Sequence, residues 1–171
     1  MTAEIKPVTV SRRIDAPATS IFAVLADPRR HTEIDGSGML RGAASDAGIS
    51  GIGDAFAMSM YFEPLGDYVM LNRVCEFEPG RRISWEPCPG NEAADPDGEF
   101  PIGLPVGERW SFELTPDGPD ATIVTESYDC SAAPEEIRRA VGNGDNWIES
   151  MTSTLARLDA ICRGARGLKT R

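Results

Sequence analysis

Histidine is almost absent from this chain: among 171 residues there is one, His31. That excludes a catalytic set built on two imidazoles and a histidine-rich metal site, so no metal is expected. Cysteine is sparse too. Cys75, Cys88, Cys130 and Cys162 form no CxxC pair, and their spacing predicts free thiols, some in the core. Long apolar runs are missing. Nothing approaches the ~20 apolar residues of a spanning helix, so no stable membrane insertion is expected. Basic charge is in deficit, with 17 Lys and Arg against 27 Asp and Glu, a formal net charge of −10 at pH 7. Such a balance argues against nucleic acid or an anionic membrane as a partner held by broad electrostatics. The opening "MTAEIKPVTV" lacks the basic stretch and apolar segment of a secretion signal, so a cytoplasmic protein is expected.

What is present suits a globular protein. The chain is 41% hydrophobic and 26% charged, and its length suits one domain, 1–171, able to bury a core. "PVTVSRRI" (7–14) predicts a first strand. "APATSIFAVLAD" predicts a helix with Pro17 near its start and Ile21, Val24 and Leu25 on one face. Asp27 and Pro28 then open a second short helix that Gly36 stops. From about residue 38 the pattern turns to strands: "GDAFAMSMYF", "YVMLNRVCEFEPG", "RRISWEP", "GERWSFELTPDG" and "TIVTESYDC". Their short connections predict an antiparallel meander. Between them, residues 87–107 carry five prolines and four glycines and predict a long surface loop. "GAASDAGISGIG" (42–53) lacks the Lys-Ser/Thr of a phosphate loop and predicts a hairpin connection. The tail is helical. "GNG" at 142–144 interrupts it, and Trp147, Met151, Leu155, Leu158 and Cys162 then form one apolar stripe before the basic end "RGARGLKTR".

Strand, two short helices, a run of antiparallel strands and a long final helix: this order resembles the helix-grip proteins, the START/Bet v 1-like (SRPBCC) superfamily. The resemblance is carried by "VSRRIDAPATSIFAVLADPRRHTEID", "CEFEPGRRISWE", "ERWSFELTPDGPDATIVTESYD" and the final helix, nearly the whole chain. It is similar in particular to the bacterial polyketide cyclase/dehydrase-like branch. The resemblance implies an α+β helix-grip fold. In it a curved antiparallel sheet wraps a long C-terminal helix, two short helices follow the first strand, and an internal cavity remains. Members bind lipids, sterols or hormones there, or cyclise aromatic polyketides; fold alone does not choose.

If one strand face looks at the helix, Met58, Met60, Trp85, Trp110 and Phe112, with Trp147, Met151 and Leu155 from the helix, become candidate ligand-binding residues. The same residues also suit ordinary core packing. His31 and Asp35 stand at i and i+4, which suits a proton-moving pair, with Tyr128 as a possible hydrogen-bond donor. The competing reading is an exposed, charged short helix whose exit is Asp35-Gly36. Asn72, Arg73, Arg109, Glu126 and Asp129 are polar strand residues that would be costly to bury unpaired. The cavity is expected between the 145–163 helix and the concave sheet face, with segments 27–38 and 87–107 near its openings.

The expected partner is a small hydrophobic molecule, lipid or polyketide-like, with no cofactor. A cyclase/dehydrase-type enzyme is the alternative, and a homodimer stays open. An enzyme would show several polar groups converging in the cavity, at least one with a shifted pKa. A carrier would show a smooth apolar lining with one or two orienting hydrogen bonds.

Overall fold

The computed structural model describes residues 3–168. Seven strands form one antiparallel sheet: β1 (Val8–Ile14), β2 (Leu40–Ala43), β3 (Ala55–Phe62), β4 (Gly66–Glu78), β5 (Arg82–Pro89), β6 (Arg109–Pro116) and β7 (Thr122–Asp129). Strands β2 to β7 run as a meander, and β1 pairs with β7 to give the order β1-β7-β6-β5-β4-β3-β2. The helices are α1 (Ala18–Leu25), α2 (His31–Ile34), α3 (Glu135–Ala140) and α4 (Ile148–Leu168). This is an α+β helix-grip fold, with α4 lying against β1, β7, α1 and α2. Of the basic end, residues 169–171 lie outside the described residues.

Local chemistry accounts for the elements. Pro17 caps α1, whose Ile21, Phe22, Val24 and Leu25 are buried. The Asp27 side chain accepts a hydrogen bond from the Arg29 N–H and starts a single 3-10 turn, Pro28–Arg30, which leads into α2. Helix α2 is only four residues long. Strand β2 follows, an element the sequence pattern had not separated from the hairpin connection after it. Asn143, the only described non-glycine residue with a positive φ, stands between Gly142 and Gly144 and kinks the chain into α4.

Alternation sorts the sheet faces. On β3 Phe56 and Met58 are buried and Met60 is half-buried, but Phe62, expected in phase with them, is 45% exposed. It sits opposite Gly66 at the turn, where the paired strands end. On β4 Tyr68, Asn72 and Val74 are buried. A bulge between Val74 and Glu76 then resets the phase, so that Phe77 meets Phe22 with ring centroids 5.4 Å apart.

Strand β5 continues through Pro87 and Pro89 into the segment expected to be loop. Its pairing with β6 stops at Trp85, while pairing with β4 runs on to Pro89. Two prolines fit a strand that has lost its neighbour on one side, because their missing N–H groups deprive no ladder there.

The helix stripe packs as its spacing requires. Met151, Leu155, Leu158 and Cys162 are all buried, and Trp147 is half-buried. Arg12, on the inner face of β1, pairs with buried Asp159 of α4 at 2.8 Å and ties the helix to the sheet edge. No described helix is long and apolar enough to cross a membrane.

Candidate functional site

Between the concave sheet face and the first half of α4 lies a cavity of about 300 Å³. The sheet contributes Phe56, Met58, Met60, Tyr68, Met70, Asn72, Trp85, Pro87, Trp110, Phe112 and Glu126 to its wall, and Glu108 enters just ahead of β6. Ser150, Met151 and Thr154 face them from α4, and Trp147 from the turn before it. The segment from His31 to Leu40 closes one side with His31, Ile34, Asp35, Ser37, Met39 and Leu40.

Of the residues anticipated as ligand-binding, Met58, Met60, Trp85, Trp110, Phe112, Trp147 and Met151 line this cavity. Leu155 does not. One turn further along α4 it is fully buried in the main core with Ile14, Ile21 and Leu158. Of the 87–107 segment, only Pro87 reaches the wall.

His31 is 6% exposed, which settles the choice between a buried residue and an exposed helix. Its ring stacks on Trp85 at 5.5 Å and meets Phe56 edge-on at 5.6 Å. Nε2 lies 2.8 Å from the Leu25 carbonyl, so in the neutral ring it is Nε2–H that donates. Burial pushes the imidazole below its usual value; the Leu25 carbonyl and Asp27 oppose that only in part.

Asp35 does not hold this histidine. Its Oδ1 accepts from the Ser37 N–H at 2.9 Å and the Ser37 hydroxyl at 2.6 Å, and its Oδ2 from the Leu40 N–H at 3.0 Å. The expected His31–Asp35 pair is therefore corrected. Helix α2 ends at Ile34, and Asp35 has φ −59 and ψ 111, outside the helical geometry that would stack i on i+4. A backbone carbonyl orients the ring instead, and Asp35 organises the turn into β2.

Tyr128 is 1% exposed and lies behind the wall, its hydroxyl donating to Glu108. Burial first, then the Glu108 carboxylate, push the phenol above its usual range. Burial also raises Glu108, and the Tyr128 hydrogen bond opposes this. Trp110, Tyr128 and Trp147 pack as a ring cluster with centroids 4.6 to 6.2 Å apart.

Glu126 stands apart from all of these. It is 4% exposed, lines the cavity, and has no hydrogen-bond partner for Oε2. Burial, reinforced by Asp35, pushes its carboxyl up to about 8, so at neutral pH it is mainly the protonated acid. Asn72, 7% exposed, also faces the cavity. Arg73 and Arg109 do not: Arg73 binds the Gly103 carbonyl and Arg109 pairs with Glu86, both at the surface. Asp129 caps the Ser131 N–H.

Sequence reasoning missed Glu108 and left Glu126 among several polar candidates. Period-two phase carries a signal for both. Glu126 falls in step with buried Val124 and Tyr128, and Glu108 with Trp110, Phe112 and Leu114. Among the described residues no group of three or more His, Cys, Asp or Glu side chains is placed to hold a metal ion.

Comparison with known proteins supports the architecture. No family model matches the chain. An uncharacterized protein of Mycobacterium tuberculosis (strain ATCC 25618 / H37Rv), Rv0088, is 32% identical across 92% of this chain. The chain spans 66% of that relative's length. Protein Ms6760 from Mycobacterium smegmatis superposes with a TM-score of 0.66 at 17% identity, over 93% of this chain and 92% of its own. An AHSA1-like protein from Aeromonas hydrophila gives a TM-score of 0.56 at 14% identity, over 91% and 94%. At such identities the shared property is the fold, an α+β helix grip.

Proposed function

We propose that this chain, acting as one domain, binds a small hydrophobic ligand, lipid or polyketide-like, in the cavity between sheet and α4. The observation that carries this reading is the cavity itself. About 300 Å³ of space is walled by four methionines of the sheet and turn, by Met151, and by three tryptophans. Methionine adapts to irregular apolar shapes and tryptophan offers broad faces, so such a wall suits an apolar guest. The size falls at the lower end of small-molecule sites, ~300 to 1,000 Å³.

Titration with Nile red, a neutral apolar dye, tests this. Saturable fluorescence enhancement at one site is expected. Met60→Trp, which narrows the cavity, should weaken it by about tenfold or more, with unchanged circular dichroism. Dye binding that ignores Met60→Trp would place the ligand elsewhere.

A second reading rests on a specific observation. His31, Asn72, Glu108 and Glu126 converge on the wall, more polar groups than a passive carrier needs, and Glu126 has a strongly displaced pKa. This favours a cyclase/dehydrase-type enzyme acting on an aromatic polyketide-like substrate. In that reading Glu126 is the group best placed to exchange a proton near neutral pH. His31, Asp35 and Tyr128 then act around it, the last through Glu108.

A further inference from the structure

The cavity wall is lopsided in its ionisable groups. Asp35, Glu108 and Glu126 reach it, and among the described residues no lysine or arginine does. His31, the nearest thing to a base, is disfavoured as a cation by burial and is committed to the Leu25 carbonyl. Tyr68 is the remaining titratable group on the wall, with Tyr128 behind Glu108. A fatty or aromatic acid would enter this space without a counter-charge and beside carboxyl groups, an arrangement that low dielectric makes costly.

Glu126 adds a second, independent observation. A carboxyl group almost wholly withdrawn from water stands in the cavity wall, and its Oε2 has nothing bonded to it. Buried polar atoms in this state ordinarily have partners, so the missing one points to a polar group that arrives with the ligand. The wall is also rich in aromatic rings. Trp85 packs with His31 and Phe56, and Trp110 with Trp147, and aromatic surroundings favour a cation over an anion.

We propose that this site, read above as a hydrophobic-ligand cavity, selects an apolar ligand carrying a protonated amine, whose ammonium pairs with Glu126 against the aromatic wall. The ammonium N–H groups pair with the Glu126 carboxylate, and the apolar body fills the methionine-lined space. The proton balance is explicit. In the empty cavity Glu126 holds its proton; when an ammonium enters, that proton leaves for solvent and the ligand keeps its own. Uptake therefore releases acid into the medium.

Three probes sharing one ring system separate the possibilities: naphthylmethylamine, naphthylmethanol and naphthoate. Calorimetry on the full chain, in buffers of different ionisation enthalpy, reads affinity and proton release together. The amine is expected to bind at least about tenfold more tightly than the alcohol, with naphthoate weakest. Roughly one proton per amine should be released at pH 7 and none on binding the alcohol. Glu126→Gln keeps the shape and removes the charge. It should lower amine affinity to near that of the alcohol and abolish proton release. If the alcohol equals or beats the amine, amine selection is overturned while the cavity reading stands. If none of the three binds, both fall.

Discussion

A carboxyl group moved from water into a wall of methionine and tryptophan gives up its charge, and Glu126 is held at about 8 for that reason. Its ordinary value is 4.5, so the folded state binds the proton more tightly than the unfolded chain. Stability from that difference is whole below pH 4.5 and is lost as pH rises toward about 8. Glu126→Gln removes the slope. Urea unfolding should show the variant gaining on the wild type by about 3 kcal/mol between acid and pH 7, and a flat difference would mean that the carboxyl titrates in the fold as it does in the unfolded chain. His31 acts on the opposite flank. Its depressed pKa contributes stability that is present above its ordinary 6.5 and is lost as pH falls. At this scale the sequence spoke ambiguously. The i,i+4 spacing of His31 and Asp35 is real, but α2 ends at Ile34, so the two side chains take different partners.

Gly36 shows how one element is shaped by another that is distant in sequence. Read locally it is a helix stop, yet its backbone is not left-handed. The chain has turned at Asp35 already, and Gly36 is where the α2–β2 connection meets α4. A Cβ there would stand 2.1 Å from the Ser150 carbonyl and 2.7 Å from the Thr154 N. The Gly36 N–H donates to the Thr154 hydroxyl at 3.0 Å. Gly36→Ala should therefore push the segment off the helix, costing about 1–3 kcal/mol in urea unfolding and weakening Nile red binding with it. Unchanged stability would show that the connection yields without cost. The bulge in β4 is of the same kind. Alternation reads Tyr68, Met70, Asn72 and Val74 onto one face, but only strand pairing reveals the extra residue that lets Phe77 rejoin it.

Across the whole molecule the acidic excess is the dominant field. Arg12, Arg13, Arg29, Arg30, Arg81, Arg82, Arg109, Arg139 and Arg163 are all engaged in ion pairs, so the surplus negative charge is the part left uncompensated. Exposed pairs contribute little each, whereas self-repulsion acts over the whole surface. Raising ionic strength from about 0.01 M to about 0.15 M, which shortens the screening length from about 30 Å to about 8 Å, should therefore raise the melting temperature. A fall on adding salt would show that the ion pairs outweigh the repulsion. By itself the sequence determined the element order apart from β2, the antiparallel meander, the buried stripe of α4 and most of the apolar wall. Those follow from period, caps and turns, which act over a few residues. Only the tertiary structure decided that Asp35 serves a turn, that Tyr128 stands behind Glu108, and that Leu155 packs beyond the cavity. It also decided that Glu126 faces inward without a partner. Each of these depends on which groups arrive from remote strands, and on how much water they exclude once there.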